Sequence, residues 1–417
     1  MPRTASIIPA GAEISDRLSL AQVTRFLPLH VVRQTLEAAD KQTKRQRELP
    51  NELMAYFPVL LSLYRNRSQK EVLRTLADGL HYLFGLTEFK ITGRSGISQA
   101  RSRVGAEPLS ELVERCAIPL AKPDTIGAFY KDLRLVAVDG SSLDLEDNEV
   151  NEEYFGRPST KQGGPRPLAR LSGLVEVGTR AFFAIEVAPW KSSSELSLAL
   201  NVVKKLKPEM LCLGDRYYAK FPIIKEVMET GAHFLFRRQE NWKLEREEVL
   251  PDGSFLSTAY SGIGETKGEG VRVRVLEFDA VVEMNGSKTP TKYTLVTDLF
   301  DYRLYPYMEL ANLYRERWEF ETALDEMKTH LMAGQPLRSK TPELVIQEIY
   351  GMVLAHYVIR AVMYEAASSE KLDPDRLSFE HTKNVLKRHV PAIGAFPPST
   401  DCGNDQTGSA LGESVFQ

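Results

Sequence analysis

Apolar and polar positions divide the chain into a helical first part, a mixed middle part and a helical end. Residues 15–120 have the pattern of amphipathic helices. Within them, Ser68 and Glu71 form a capping box, which predicts the start of a helix that reaches about His81. After Gly85, the run ITGRSGISQARSRVG predicts a turn followed by a short basic helix.

The middle part, residues 126–330, predicts a mixed α/β sheet, because three strands come first and strands then alternate with helices. Apolar runs predict strands at 133–139, 168–177 and 180–188, with a turn at Gly178. Helices at about 194–206 and 217–230 then flank a strand that ends at Asp215, and another strand follows at 233–238.

A β-rich segment at about 239–300 follows, because 271–284 and 292–299 alternate with period two. A long helix is predicted from about 307 to 331. Thr341 as N-cap and Pro342 at the first helical position then open another helix that runs to about Ala367.

With 417 residues, the chain exceeds a usual single core, and two or three domains are expected. The predicted boundaries are a helical domain at 1–125, a mixed α/β domain at 126–330 with a β-rich insertion at about 239–300, a helical region at 331–395, and a disordered tail at 396–417.

Composition indicates an ordinary soluble globular protein, with 43% hydrophobic and 26% charged residues. The N-terminus lacks the sustained apolar stretch of a signal peptide. The most apolar predicted helix, around 344–364, contains Glu348, His356 and Arg360, which argues against a membrane span. Three cysteines without metal-ligand spacing are typical of a reducing cytoplasm.

The net charge of −3 seems to disfavour nucleic acid, but its distribution matters more. Residues 1–135 hold 20 Lys and Arg against 14 Asp and Glu. Part of the acidic surplus lies in the segment 144–153. A basic groove is therefore compatible with the negative total.

Candidate chemistry is concentrated in the run LYRERWEFETALDEMKTH, which contains Tyr314, Arg317, Glu321 and Lys328. Steps of seven and four residues return to nearly the same side of an α-helix. One helical face would therefore carry a carboxylate flanked by a phenol, a guanidinium and an ammonium. Cations beside a metal-holding carboxylate neutralise the phosphate charges that the metal does not.

Two further carboxylates follow apolar runs upstream, Asp139 in LRLVAVDGSS and Asp215 in MLCLGDRYYAK. If the two strands are neighbours, the helix bearing Glu321 can pack across their ends. Together the three carboxylates would supply hard oxygen ligands for two divalent ions, which favours magnesium or manganese over zinc.

Each acid also has an ordinary explanation when it is taken alone. Asp139 suits a turn before glycine, Asp215 suits the N-cap of a helix over 217–230, and Glu321 suits a surface pair with Arg317 at i,i+4. Three other acids compete for the same role: Asp144, Asp147 and Asp298.

The combined pattern resembles the DDE transposases of the insertion-sequence-four family. The likeness rests on Asp139 in a DGS context, Asp215 in a DRYY context, and the Tyr-x2-Arg-x3-Glu-x6-Lys spacing. The stretch from about residue 17 to residue 68 also resembles that family's N-terminal DNA-binding domain, and the likeness extends to about residue 390. The strand order predicted above is that of a ribonuclease-H-like core.

The resemblance implies an enzyme that binds the terminal inverted repeats of an element, cleaves its ends and joins the 3′-hydroxyls to target DNA. It implies Asp139, Asp215 and Glu321 as catalytic metal ligands, with Tyr314, Arg317 and Lys328 on DNA phosphates. The expected partners are double-stranded DNA and a second copy in a synaptic homodimer, without a membrane and in the bacterial cytoplasm. Two alternatives are a metal-dependent nuclease without strand transfer and an inactive DNA-binding relative.

Further DNA contacts are predicted outside the acidic site. The short basic helix after the predicted turn looks like part of a helix-turn-helix, and the side chains expected to be exposed on it are Ser98, Gln99, Arg101 and Arg103. Arg216 beside Asp215 is a further candidate. Trp242 is a candidate for stacking on a flipped base, although a core position is the commoner one for tryptophan. Trp190 and Trp318 are expected to be structural.

Overall fold

One mixed sheet of ten strands runs through the protein in the computed structural model, which describes residues 19–45, 49–80, 93–158, 166–240, 242–261, 268–284 and 287–389. The strands are β1 (Phe129–Tyr130), β2 (Leu133–Asp144), β3 (Leu168–Glu176), β4 (Phe182–Pro189), β5 (Met210–Gly214), β6 (His233–Arg237), β7 (Glu248–Val249), β8 (Phe255–Tyr260), β9 (Gly270–Met284) and β10 (Ser287–Thr297). Most of the turn predicted after Gly85 and the tail from 396 lie outside the described residues.

The strand order is β4-β3-β2-β5-β6-β10-β9-β8-β7, and β1 pairs with β2. The pairs β2–β5 and β5–β6 are parallel, whereas the others are antiparallel. Because β10 pairs with β6, the predicted β-rich insertion extends the central sheet. A parallel neighbour requires a crossover connection, and helices between the strands supply it.

Thirteen α-helices accompany the sheet in the described ranges. They are α1 (Ser19–Phe26), α2 (Leu29–Ala38), α3 (Asn51–Leu63), α4 (Gln69–Leu80), α5 (Arg94–Val104), α6 (Glu107–Cys116), α7 (Glu149–Phe155), α8 (Glu195–Val203), α9 (Phe221–Glu229), α10 (Tyr307–Leu313), α11 (Trp318–Asp325), α12 (Pro342–Ser369) and α13 (Phe379–His389). The described residues before 120 are thus mainly helical, as the sequence predicted.

Alternation along β2 feeds two apolar cores on opposite faces of the sheet. Leu135 and Ala137 join a core built largely from the N-terminal helices, α11 and α12. Val136 and Val138 point the other way, into a core shared with α8 and α9. Helices therefore cover both faces of the sheet at β2, and the strand ends are left as the places where the sheet can open to solvent.

Helix α12 is the central helix of the first core, and it packs along α3. By length and composition it is apolar enough to cross a membrane, but 89% of its most apolar window is buried inside the protein. Such burial is that of a core helix. Its close approach to α3 depends on Gly351, where an added Cβ would lie 2.5 Å from the Pro58 carbonyl carbon.

Two predicted elements differ from those observed. The strand predicted at 133–139 continues to Asp144, because β3 stays paired with it along that whole length. The helix predicted over 307–331 changes pitch twice, with a 3-10 turn at Tyr314–Arg317 and a π-helical segment at Glu326–Leu331. Segments of this kind are common at functional sites.

Replacing Gly351 by alanine should destabilise the protein by about 2 kcal/mol or more, because rigid backbone atoms of α3 occupy the added methyl's position. Urea unfolding followed by circular dichroism measures the loss. Gly93→Ala is the control, since no atom lies within 4 Å of its added Cβ, and it should change stability by about 0.5 kcal/mol at most. Equal stability of the two variants would contradict the close helix contact.

Candidate active site

Asp139 and Asp215 lie at the same edge of the sheet. Strands β2 and β5 are parallel neighbours, and their last register pair is Val138 with Gly214. Asp139 directly follows Val138, and Asp215 directly follows Gly214. The carboxyl ends of parallel strands form the usual site for chemistry in α/β folds, and here they bring together two acids that are distant in sequence.

Asp139 is a strand residue rather than the turn residue considered above. It stands opposite Gly173 of β3, and its Oδ1 accepts a hydrogen bond from the Gly140 N–H at 2.7 Å. Its side chain is 20% exposed. Burial raises the pKa of Asp139 to about 6, and the nearby carboxylates Asp215 and Glu321 add to the rise, while the Gly140 N–H and Arg317 oppose it.

Asp215 does not cap α9, because that helix begins at Phe221 with Lys220 at the N-cap position. Its Oδ1 instead accepts a hydrogen bond from the Tyr217 N–H at 2.7 Å, and its carbonyl accepts one from the Tyr218 N–H. These bonds make a tight turn directly after β5. The turn holds the carboxylate of Asp215 beside the strand end.

The predicted quartet on the 307–331 segment faces the ends of β2 and β5. Tyr314 Oη donates to the Gly214 carbonyl at 3.2 Å. Arg317 Nη1 lies 3.0 Å from Glu321 Oε1 and 3.5 Å from Asp139 Oδ2. Lys328 Nζ donates to Ser141 Oγ at 2.6 Å. The shared face is therefore present, although the helix pitch varies along it.

Apolar contacts explain why this segment docks on the sheet. Phe320 is fully buried, and its ring meets Phe182 of β4 edge-on at 5.4 Å. Ala323 and Met327 continue the buried stripe at steps of three and four residues. Glu321, next to Phe320 in sequence, is 41% exposed and stands at the rim of the site.

Arg317 is the cation at the centre of this cluster. Its side chain is only 9% exposed, and its guanidinium bridges an acid from the sheet and an acid from α11. Among the described residues, no three His, Cys, Asp or Glu side chains are arranged as a ready set of metal ligands. The donor types still suit a divalent ion, because all three acids offer hard oxygens. Arg317 lies between two of them.

The competing acids do not join the cluster. Asp147 is paired with Arg157 on the surface. The carboxylate of Asp298 contacts His233 Nδ1 at 2.8 Å and accepts from the Phe234 N–H at 3.0 Å, so it secures the start of β6. Asp144 is exposed at the end of β2, five residues beyond Asp139. Burial lowers the pKa of Lys328, and the charge of Asp144 acts to raise it.

Comparison with known protein families now decides the class. Residues 17–114 match the family model described as "Insertion element 4 transposase N-terminal". Residues 130–358, more than half of the chain, match the model described as "Transposase DDE domain".

The chain belongs to the DDE transposase family.

Two curated relatives come from Escherichia coli (strain K12). The transposase is 27% identical over 392 residues to "Transposase InsG for insertion sequence element IS4", covering 92% of this chain and 86% of the relative. It is 26% identical over 238 residues to "Putative transposase InsZ", covering 55% of this chain and 75% of the relative.

Among solved structures, the "Cryo-EM structure of piggyBac transposase synaptic complex with hairpin DNA" aligns with a TM-score of 0.46 and 11% sequence identity. That alignment covers 96% of this chain and 85% of that chain.

Family membership confirms the predicted class, an enzyme that cleaves DNA and transfers strands, and the predicted ribonuclease-H-like core. The mixed sheet, with three leading strands followed by β5 and β6 in parallel, agrees with that fold. DDE domains generally use divalent metal ions, which fits the oxygen-rich strand ends.

The prediction that Arg101 is exposed on α5 and contacts DNA is wrong. Its side chain is buried. It donates hydrogen bonds to Gln347 and to the Leu344 carbonyl in α12, and to Ser339 just before that helix. It occupies the inward stripe of α5, which also contains Ile97, Ala100 and Val104. An arginine in a stripe of this period is turned inward by the helix geometry.

The other residues of the basic helix differ in exposure. Gln99 is exposed and Ser98 is half-buried. Arg103 is also half-buried, and it donates to the Leu49 carbonyl at 2.9 Å. Fewer polar side chains of α5 are exposed than its composition indicates.

Aromatic residues near the site also differ from expectation. Trp318 was predicted to be structural, but its side chain is 56% exposed. The guanidinium carbon of Arg317 lies 4.6 Å from the centre of the Trp318 ring. Trp242 is half-buried and packs against the second core. Trp190 is half-buried, with Arg170 stacked on its ring. Arg216 is exposed near Glu240. The exposure of Trp318 was not predicted from the sequence. The one feature that could have indicated it is that Trp318 directly follows Arg317 of the quartet.

Tyr314→Phe should lower the free energy of unfolding by about 1 kcal/mol, because the Gly214 carbonyl loses its buried hydrogen-bond donor. Urea unfolding measures the difference. Tyr154→Phe, at a tyrosine of α7 that is 43% exposed and outside the site, is the matched control and should be neutral. If Tyr314→Phe were also neutral, the hydroxyl would not secure the end of β5.

Proposed function

We propose that this transposase processes the ends of an insertion element with Asp139, Asp215 and Glu321 as its catalytic carboxylates. The observation that carries the proposal is the Arg317 bridge. One guanidinium contacts Asp139 of β2 and Glu321 of α11, while the same helical segment hydrogen-bonds to Gly214 beside Asp215. Arg317 thus lies between two of the proposed acids, and Tyr314 of the same segment contacts the strand end that precedes the third, which supports the proposal.

Divalent ions fit this donor set, and magnesium is the natural choice, with manganese able to substitute. Asp139, Asp215 and Glu321 would hold two ions. When bound, such ions activate a water or 3′-hydroxyl and stabilise the leaving oxygen of an in-line phosphoryl transfer. The raised pKa of Asp139 is consistent with this role, because a nearby cation offsets the cost of its buried charge.

The cations of the same segment are placed to hold the DNA backbone. Arg317 would exchange its carboxylate partners for a phosphate, and its planar guanidinium suits that geometry. Lys328 lies beside Ser141 on β2 and would neutralise a second phosphate charge. The resemblance implied a phosphate contact for Tyr314 as well, but this side chain is buried with its hydroxyl on the Gly214 carbonyl, and in our proposal it keeps that place. Departure of Arg317 would leave Asp139 and Glu321 free for metal, so DNA would bind before metal.

Other surfaces contribute to DNA binding and assembly in this proposal. Residues 1–125 would bind the inverted repeats, with Gln99 and Ser98 on the available surface of α5. Exposed Arg216 would contact the backbone near the cut, and exposed Trp318 would offer a face on which a base stacks. Trp242 stays a weaker stacking prediction, since it packs on the core.

Two ends must be processed together, so we expect a homodimer in the synaptic complex. The region 331–395 would contribute to pairing. The two ends and the target are double-stranded DNA, and the place of action is the bacterial cytoplasm, at the nucleoid. The relative named for the insertion sequence element IS4 supports the choice of element ends as substrate.

Asp139→Asn, Asp215→Asn and Glu321→Gln should each slow cleavage of the gene's flanking inverted repeats about a thousandfold or more, because metal-dependent charge stabilisation is lost. Labelled end DNA with a target plasmid and Mg²⁺ separates cleavage products from joined products on one gel. Binding of end DNA in EDTA should stay within about threefold of wild type, since these acids do not attract phosphates.

Asp147→Asn is the matched control, because Asp147 is an exposed aspartate of the same domain, paired only with Arg157 among the residues described. It should cleave and join like wild type. Wild-type cleavage by any of the three site variants would contradict the assignment of that residue.

Arg317→Met should increase the affinity of the DNA-free protein for Mn²⁺ by about tenfold, a gain of roughly 1.4 kcal/mol, because a competing cation is removed from between Asp139 and Glu321. Isothermal titration calorimetry measures the affinity. Arg315→Met, an exposed arginine of the same turn, should leave it unchanged. Equal or weaker Mn²⁺ binding by Arg317→Met would contradict the exchange of cations.

A further inference from the structure

Two charged clusters flank Glu321 along its helix. Glu319 precedes it by two residues and pairs with Arg180, which lies in the turn between β3 and β4. Glu326 follows it by five residues and meets two residues of α12, His356 and Arg360. Glu321 therefore lies on a short helix that is held at both ends by partners from other elements.

The cluster at Glu326 is almost completely buried. The side chains of His356, Arg360 and Glu326 are 0%, 1% and 8% exposed. Arg360 Nε donates to Glu326 Oε2 at 2.9 Å, and its Nη2 pairs with Oε1. His356 Nε2 lies 3.0 Å from Oε2. Both carboxylate oxygens are thus bound, and the guanidinium is bidentate, which fixes the direction of the glutamate as well as its place.

The cluster at Glu319 ties α11 to the sheet and to the C-terminal region. Arg180 Nε pairs with Glu319, and its Nη2 lies 2.9 Å from Asp375 Oδ2. Arg180 itself has a φ of 54°, in the left-handed region, within the tight turn that joins β3 and β4. Phe182, at the start of β4, packs on both Phe320 and His356 and so links the two clusters.

Stability alone does not account for such an arrangement. A buried ion pair is often no more stabilising than well-packed apolar residues of similar size. Its directional bonds do specify one relative placement of the elements that it joins. Helix α11 has only eight residues, and a helix this short takes its position from its contacts. The position of Glu321 then depends on where Glu319 and Glu326 are held.

We infer that Arg180, His356 and Arg360 are positioning residues that hold Glu321 in line with Asp139 and Asp215 through the two flanking glutamates. This inference rests on the proposed role of Glu321 as a metal ligand. It makes α12 and the turn between β3 and β4 parts of the active site's support, although none of these three side chains contacts the carboxylate of Glu321 in the described structure.

The test replaces the buried Glu326–Arg360 pair without leaving either of these two charges unpaired, and it alters the cluster at Glu319 separately. Glu326→Met with Arg360→Met in one full-length protein removes both partners, and Arg180→Gln loosens the other cluster at a more exposed position. Arg65→Gln is the control, because Arg65 is similarly buried with Glu348, and its hydrogen bonds in the described part of the chain go to Glu348, Met332 and Pro336, which lie outside 318–331. Thermal unfolding identifies any variant that is destabilised throughout.

Hydrogen exchange of the DNA-free protein is the first readout, because it does not depend on the enzyme's activity. Amides of 318–325 should exchange about tenfold faster or more in the double variant and in Arg180→Gln, with the central strands unchanged. Arg65→Gln should leave 318–325 unchanged. Unchanged exchange of 318–325 in both test variants would overturn the inference.

The second readout is the Mn²⁺ concentration for half-maximal end cleavage, which should rise about five- to tenfold while end-DNA affinity in EDTA stays within about twofold. Faster exchange with an unchanged Mn²⁺ requirement would also overturn the inference, provided that Glu321→Gln abolishes cleavage. If Glu321→Gln cleaves normally, the proposed function fails instead, so the Glu321→Gln result identifies which of the two is wrong.

Discussion

Mutual repulsion of three carboxylates is the constraint around which this site is built. In the proposed site, Asp139, Asp215 and Glu321 can act together only if a cation stands among them, because burial and the two neighbouring carboxylates raise the pKa of Asp139. In the protein without DNA, the cation is the guanidinium of Arg317. The same group that suits a phosphate thereby offsets part of the negative charge of the site.

The fold meets this constraint with rigid elements on each side. Parallel strands β2 and β5 set the two aspartates at one edge, and both faces of the sheet are sealed by helices. The third acid arrives on a helical segment that changes pitch at both ends of α11. Buried contacts with β4 and α12 compensate for the shortness of that helix.

Much of this arrangement was readable from the sequence, because spacing carries geometric information. The strand-and-helix order, the edge position of Asp139 and Asp215, and the common face of Tyr314, Arg317, Glu321 and Lys328 all follow from periodicity. Residue type predicted the exposure of a side chain wrongly where tertiary contacts decide it. Arg101 is charged but sits in the inward stripe of α5, and Trp318 is apolar but exposed. The contact of Arg317 with Asp139 and the ion pairs of Glu326 have no local sequence signal, because the partners lie between 30 and 178 positions apart along the chain.

The most direct test of the central claim is a cryo-electron microscopy structure of the protein on its own cleaved inverted-repeat ends with Mn²⁺. The account predicts metal density between the carboxylates of Asp139, Asp215 and Glu321, with Arg317 moved onto a DNA phosphate. Metal held by other residues, or Arg317 still bridging Asp139 and Glu321 in the DNA-bound complex, would contradict it.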